Sequence, residues 1–259
     1  MKSGRRAALN LIEMLNLHLQ CAWASSPLRW ATAAGVTVIF ALAARIVRGV
    51  NASGAIAGGL ACFLLFVGGG PGAFAALVVL FLMTWLSTRL GYRRKRDLGL
   101  AERREGRNGW QVSSNLGVAA LSSLLYAVTG NQPWLAAAAA ALAEAATDTV
   151  ASEVGQTRGQ NAILITTGES VPSGTDGGIT LIGTLCGTLA GLIIAAVTVA
   201  GKMISPSQSW IPAAAGVAGM FVDSLLGATA QRRRWLSNEA VNLWGTLMAG
   251  GLALAFSAL

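Results

Sequence analysis

Apolar stretches follow one another along this 259-residue chain, and most approach the roughly 20 residues a helix needs to cross a bilayer. They predict membrane spans at 28–47, 54–69, 71–90, 112–130, 133–151, 179–200, 210–230 and 239–259. The second is short, and Gly68-Gly69-Gly70-Pro71 marks either a hairpin between two helices or a break within a re-entrant element. Residues 5–24 read differently. Asn10, Glu13, Asn16, His18 and Gln20 interrupt the apolar positions there, which predicts an amphipathic helix lying in the interface. That stretch also lacks the continuous apolar region and cleavage site of a signal peptide. The expected fold class is an all-α integral membrane protein, a polytopic helical bundle of about 7–8 transmembrane helices with an N-terminal amphipathic helix. Residues 1–27 form the interfacial segment and 28–259 a single polytopic membrane domain.

Composition agrees with that class. Hydrophobic residues make up 54% and charged residues 12%, about half the charge of an ordinary soluble domain. The short alternating segments of an outer-membrane barrel are absent. The 32 glycines and the run Ala136–Ala141 suit close helix packing. Cys21, Cys62 and Cys186 sit in apolar surroundings without CxxC spacing, so they read as small buried hydrophobes.

Charge then orients the bundle. With eight spans, the odd-numbered loops share one side and carry 14 of the 19 Lys and Arg residues, the densest run lying between Arg89 and Arg107. By the positive-inside rule those loops are cytoplasmic. The net charge of +8 is accounted for by these loops on an acidic membrane, and no folded basic domain remains for nucleic acid. Every polar motif falls in or beside the same loops: Asn51–Gly54, Gly106–Gln111, Asp148–Gly178 and Asp223–Gln231. Ionisable residues among apolar segments are costly and mark functional sites by default.

Several ordered motifs carry a resemblance. Arg107-Asn108-Gly109-Trp110-Gln111-Val112, Asp148-Thr149-Val150-Ala151-Ser152-Glu153-Val154-Gly155, Ile165-Thr166-Thr167, Val171-Pro172-Ser173-Gly174-Thr175-Asp176-Gly177-Gly178, Asp223-Ser224-Leu225-Leu226-Gly227-Ala228-Thr229 and Asn238-Glu239-Ala240-Val241-Asn242 occur in that order. From about Asn51 to the C-terminus the chain resembles the phytyl-phosphate kinase-like membrane family. That family joins plant chloroplast enzymes of tocopherol synthesis to uncharacterised bacterial, archaeal and animal proteins. The resemblance implies transfer of a phosphoryl group from a nucleoside triphosphate to a membrane-embedded prenyl monophosphate. The expected location is a prokaryotic inner (plasma) membrane, with the site facing the cytoplasm because the basic loops lie on that side. Asp176 stands where the family often has Asn, and Leu116 follows Asn115 where Gly is common.

Phosphoryl transfer depends on positioning and charge neutralisation, commonly through Mg²⁺, which takes one or two carboxylates plus waters and phosphates. Asp148 and Asp223 are the foremost ligand candidates, each expected to end an apolar helix, with Glu153 brought in by a break near Gly155. The alternative for Asp148 is a polar helix cap. Ser152 shares its helix face at i, i+4, and Glu144 lies one turn before it. The segment Gly174–Gly178, with Thr175, Asp176, Gly177 and Gly178, is expected to open the sixth span, either as a phosphate-cradling loop or as an ordinary turn capped by Thr175 or Asp176. Arg107, followed by Asn108, Gln111 and Asn115, is the expected diphosphate clamp, while most other charges of its loop lie on anionic headgroups. Ser224 and Gln231 accompany Asp223. Asn238 and Asn242, at i, i+4, either join helices or touch ligand. The prenyl tail is expected between helices toward lipid. A CTP-dependent cytidylyltransferase making a CDP-lipid, or a lipid-phosphate transporter, are the alternatives; inverted repeats with midplane breaks would mark a transporter, and none is evident.

Overall fold

The computed structural model describes residues 27–157 and 161–257. Their α-helices are α1 (Pro27–Ile46), α2 (Ala52–Arg89), α3 (Tyr92–Asp97), α4 (Gly109–Thr129), α5 (Pro133–Thr157), α6 (Leu181–Ala200), α7 (Trp210–Leu226) and α8 (Asn238–Ser257). Six of the helical segments are long and apolar enough to cross a membrane. The expected amphipathic helix at 5–24 lies outside the described residues, as do Cys21 and Arg158.

Helix α2 has 38 residues, about 57 Å if straight against a bilayer core of roughly 30 Å. It is not straight. Gly70 adopts φ 66° and ψ −158°, outside helical space, and Pro71 follows it. At one end of α1, Trp85 and Arg89 of the second arm donate to Val47 O at 3.1 and 2.7 Å. At the other end, Arg29 donates to Gly68 O at 3.5 Å, beside the break. The arms 52–69 and 71–89 are therefore a full hairpin across the bundle, which resolves the open alternative. Counting them separately, eight helical segments match the eight spans expected from sequence.

One face of the bundle carries the chain between α1 and α2, α2 and α4, α5 and α6, and α7 and α8; it is the basic face. The other carries the Gly70 break and the connections between α4 and α5 and between α6 and α7. At the centre stands α5, packed against α2, α4, α6, α7 and α8. Its residues from Leu135 to Thr147 are all buried. Alanine there lets five neighbours approach at once, and their glycines complete the fit. A Cβ at Gly187 would lie 2.4 Å from Thr147 O, and one at Gly216 3.0 Å from Ala143 C. Close packing of small residues replaces the hydrophobic drive that lipid does not supply between helices.

Three local expectations are corrected. Helix α5 runs to Thr157 without a break at Gly155, because its backbone bonds stay internal whether or not its side chains are apolar. Asp148 is thus inside the helix, about 13 Å of helical rise before its end, and is no cap. The connection after α5 forms a three-stranded antiparallel sheet, β1 (Ala162–Leu164), β2 (Ser170–Val171) and β3 (Gly178–Ile179), in the order β2-β1-β3. Ile163 pairs with both Ser170 and Ile179. Consequently Gly174–Gly178 does not open a helix. The N-cap of α6 is Thr180, whose hydroxyl already accepts from Gly183 N at 3.1 Å.

Candidate active site

Arg107 is placed by two chain segments stitched together. Its N–H donates to Gly49 O and its carbonyl accepts from Asn51 N, at 3.1 and 3.0 Å. Asn51 caps α2 through Gly54 N, and Ser53 Oγ accepts from Gly109 N at 3.0 Å. A Cβ at Gly54 would lie 2.2 Å from Arg107 O, so only glycine admits this approach. The guanidinium donates to Thr149 Oγ1 of α5 at 3.5 Å, and its Nε is buried without a partner.

Arg107 borders a polar cavity of about 370 Å³ at the basic face. Gln111 and Asn115 of α4 line it, with Asp148, Ser152 and Glu153 of α5. Opposite are Thr175, Asp176, Gly177 and Gly178 of the strand loop, then Asp223, Ser224 and Gln231 at the end of α7, and Asn238 and Asn242 of α8. Of the site residues expected from sequence, Asn108 is the one off this wall. It is used up in a capping box with Gln111 at the start of α4.

The acids on and behind the cavity wall differ in how they are held, Glu144 lying buried behind the lining. Glu144, Asp148 and Asp223 lie within Coulombic range of one another, the first two one helical turn apart on α5. Glu144 is 1% exposed and its Oε1 has no partner. Gly219 and Gly245 leave it room, for a Cβ at either would collide with its side chain. With its amide nitrogen turned to the acceptors, Asn242 donates to Asp223 Oδ2 at 3.1 Å and Asn238 O at 3.2 Å. Glu153 also lines the cavity, but both of its oxygens are engaged. Its two oxygens accept from Thr88 and from the fully buried Lys95 of α3. Lys95 also donates to Ser87 O and Thr88 O, which uses all three of its donors. This full pairing suits an anchor better than a metal ligand.

Other polar residues of the wall are partly used in local bonds. Gln111 donates to Glu102 at 3.0 Å, Asn115 to Gln111 O at 2.7 Å, Ser152 to Thr149 O at 3.1 Å and Thr175 to Pro172 O at 2.7 Å. The strand loop is pressed onto the end of α7: a Cβ at Gly177, where φ is +75°, would lie 2.4 Å from Ala228. Residues Gly227–Gln231 there are π-helical, a widened turn often found at functional sites. Partial burial raises the Asp176 carboxyl above its ordinary value of 3.8, and Arg232 opposes the rise.

Among the described residues no three His, Cys, Asp or Glu side chains are grouped to hold a metal by themselves. Mg²⁺ commonly needs only one or two carboxylates, the rest of its shell being water and phosphate. Asp148 and Asp223, acidic neighbours on a polar wall, fit that requirement. Sequence reasoning missed Lys95, whose only signal is a single lysine among arginines, and Thr149, the hydroxyl facing Arg107.

Beside the polar cavity lies an apolar one of about 440 Å³ between α1, both arms of α2, α4 and α5. The two share Glu102, Arg107, Gln111, Asn115 and Thr149.

Comparison with known proteins places the chain. It is 35% identical over 192 residues to an uncharacterized membrane protein of Synechocystis sp., covering 70% of this chain and 73% of that one. Against Protein VTE6, chloroplastic, of Arabidopsis thaliana, identity is 29% over 247 residues, 92% of this chain and 74% of the relative. An uncharacterized membrane protein of Methanocaldococcus jannaschii is 31% identical over 217 residues, covering 83% and 89%. No solved structure matches the chain. Residues 35–250 match the pattern of Integral membrane protein DUF92, and with the relatives above this establishes that the chain belongs to the DUF92 integral membrane family.

Proposed function

We propose that this protein is an isoprenyl-phosphate kinase. It transfers the γ-phosphoryl group of a nucleoside triphosphate, CTP or another, to a prenyl monophosphate such as phytyl, farnesyl or geranylgeranyl phosphate. An oxygen of the lipid phosphate attacks the γ-phosphorus. The bond from that phosphorus to the bridging oxygen breaks, and the nucleoside diphosphate leaves with the electron pair. The lipid diphosphate is the product.

The observation that carries this reading is the position of Arg107, whose side chain borders both an acidic polar cavity and an apolar one. A guanidinium is suited to bidentate phosphate recognition, and its buried Nε lacks a protein partner. Asp148 and Asp223 are the residues to hold Mg²⁺, which when bound neutralises phosphate oxygens. Gly177 and Gly178 bring backbone close to the same space, and Asn242 steadies Asp223. The ordered motifs and the similarity to a chloroplast relative over most of the chain support the same activity. By the positive-inside rule the basic face is cytoplasmic, where nucleotides are available, and a prokaryotic inner membrane is the expected setting.

The test is direct. Purified protein in detergent is incubated with Mg²⁺, a panel of nucleoside triphosphates and the three prenyl monophosphates, and lipid and nucleotide products are followed by mass spectrometry. Prenyl diphosphate with nucleoside diphosphate is the expected outcome. Pyrophosphate with a nucleotidyl-lipid would replace the kinase by a cytidylyltransferase. Untouched nucleotide with every prenyl phosphate would remove the enzyme reading.

A further inference from the structure

We infer that the apolar chamber beside Arg107 takes one hydrocarbon chain of the lipid phosphate inside the bundle and that its floor limits the chain length. This rests on the phosphoryl-acceptor reading above. It also departs from the sequence-based expectation of a tail lying between helices toward lipid.

The chamber is built for such an amphiphile. Its walls are Phe40 of α1, Leu77, Leu80 and Phe81 of the second arm of α2, and Val112 and Leu116 of α4. Arg48, Arg89, Arg103, Arg104 and Arg107 gather on its lining toward the basic face, against Glu102 as the acid. That distribution matches an anionic head on an apolar body. From Arg89 at the mouth to Leu77 at the floor is twelve residues of helix, about 18 Å.

Size suits one chain. A chamber of about 440 Å³ lies near the lower end of the roughly 300–1,000 Å³ of pockets that bury a single small ligand. One farnesyl, geranylgeranyl or phytyl tail is such a ligand; the two acyl chains of a phosphatidate carry at least twice the carbons of a farnesyl tail. Continuity supplies the remaining argument. A tail in this chamber leaves its phosphate at Arg107 and Thr149, where the polar cavity with Asp148 begins.

Gly58 offers a way to fill the chamber, since a Cβ there meets Val112 Cγ1 at 3.7 Å, an ordinary contact with no backbone in the way. Leu77, 1% exposed, offers a way to deepen it. The experiment uses the full chain in lipid nanodiscs with a farnesyl monophosphate carrying a photoreactive diazirine on its tail, and maps adducts by peptide mass spectrometry. Expected are adducts on the chamber walls, abolished by excess farnesyl monophosphate but not by phosphatidate. Gly58→Leu should lower them about tenfold or more, the scale at which hydrophobic pockets discriminate by a few methylenes. Leu77→Ala should retain them and shift competition toward geranylgeranyl monophosphate. Adducts on lipid-facing residues such as Leu42 and Leu60, unaffected by competitor, would overturn the inference, as would unchanged chamber labelling in Gly58→Leu with unchanged competition in Leu77→Ala. Labelling in the chamber without diphosphate formation would keep the chamber and remove the kinase reading. Diphosphate formation with labelling elsewhere would do the reverse.

Discussion

Two acidic regions on α5, five residues apart, are held in opposite ways. Around Glu153 both carboxylate oxygens are bonded, to Lys95 and to Thr88, and Lys95 spends its other donors on the end of α2. Around Asp148, that residue and Asp223 line a cavity and Glu144 lies buried behind them, its Oε1 lacking any partner, with Arg107 the neighbouring positive charge. A buried ion pair closed on itself fixes position, since removing either partner strands a charge. A cluster of like charges left open is stable only when something else neutralises it, and such clusters mark functional sites. Charge alone therefore does not distinguish a site from its scaffold; the partners of each charge do.

The strongest way to break this contrast is to neutralise the open side. Asp148→Asn and Asp223→Asn should each lower kcat for diphosphate formation by about 10³-fold, the scale on which lost stabilisation of transition-state charge is felt. Both should fold, because each removes a charge from a crowded acidic cluster. A thermal-unfolding scan beside the assay checks this: unchanged kcat in either variant would remove that carboxylate from the site. On the closed side the pattern should invert. Lys95→Met leaves the partly buried Glu153 without its cation and should cost up to about 3 kcal/mol of stability. Lys95→Met combined with Glu153→Leu should recover much of it. If the folded double variant loses activity as Asp148→Asn does, Glu153 belongs with the open acids after all.

This division was only half legible in the sequence. The spans were readable because a bilayer imposes a length and an apolar composition on whatever crosses it, while Gly68–Pro71 marked an interruption whose form, hairpin or re-entrant break, only the structure decides. The gathering of Asp148, Asp223 and the Asp176 loop followed from counting loops on one side. The partners were not readable. Past Ser152 the residues Glu153 and Gln156 look like the end of a span, yet α5 continues two turns beyond Val150, and that extension carries Glu153 to Lys95. Strands of two or three residues have no measurable period-2 pattern, so the small sheet after α5 leaves no sign in the sequence, and neither does Thr180 as the cap of α6. Glu144 is visible as an acid in an alanine run, but the glycine slot that holds it comes from α7 and α8, far along the chain.

Arg107 lies on the boundary between the cavities, and a change there sharpens the comparison further. Arg107→Lys keeps the charge and loses the planar fork, which is not a conservative exchange where phosphate is recognised. Loss of one charged hydrogen bond, about 1.5–3 kcal/mol, predicts a fall in kcat/KM of about 10- to 100-fold. KM for the lipid phosphate should account for part of it, because the side chain touches both chambers. A fall confined to KM for the nucleotide would instead assign Arg107 to the triphosphate.

The smallest expected effect is at the rim, where Asp176 tests whether an acid of the wall is open or closed. Its folded-state pKa is raised above 3.8 by partial burial and restrained by Arg232. A carboxyl that binds its proton more tightly in the folded state contributes stability below its unfolded pKa, and that contribution is lost as pH rises through the folded value. Near pH 7 ionised Asp176 thus carries a penalty that Asn, unable to ionise, does not. Asp176→Asn should raise the unfolding temperature slightly at pH 7, by the equivalent of about 0.5 kcal/mol or less for so exposed a group. The gain should disappear below pH 3.8, as measured by unfolding scans across the pH range. In an Arg232→Gln background the gain should grow, since the restraining charge is gone. A gain that survived at pH 3, or shrank without Arg232, would mean that Asp176 acts through local hydrogen bonding and not as an open charge of the cavity.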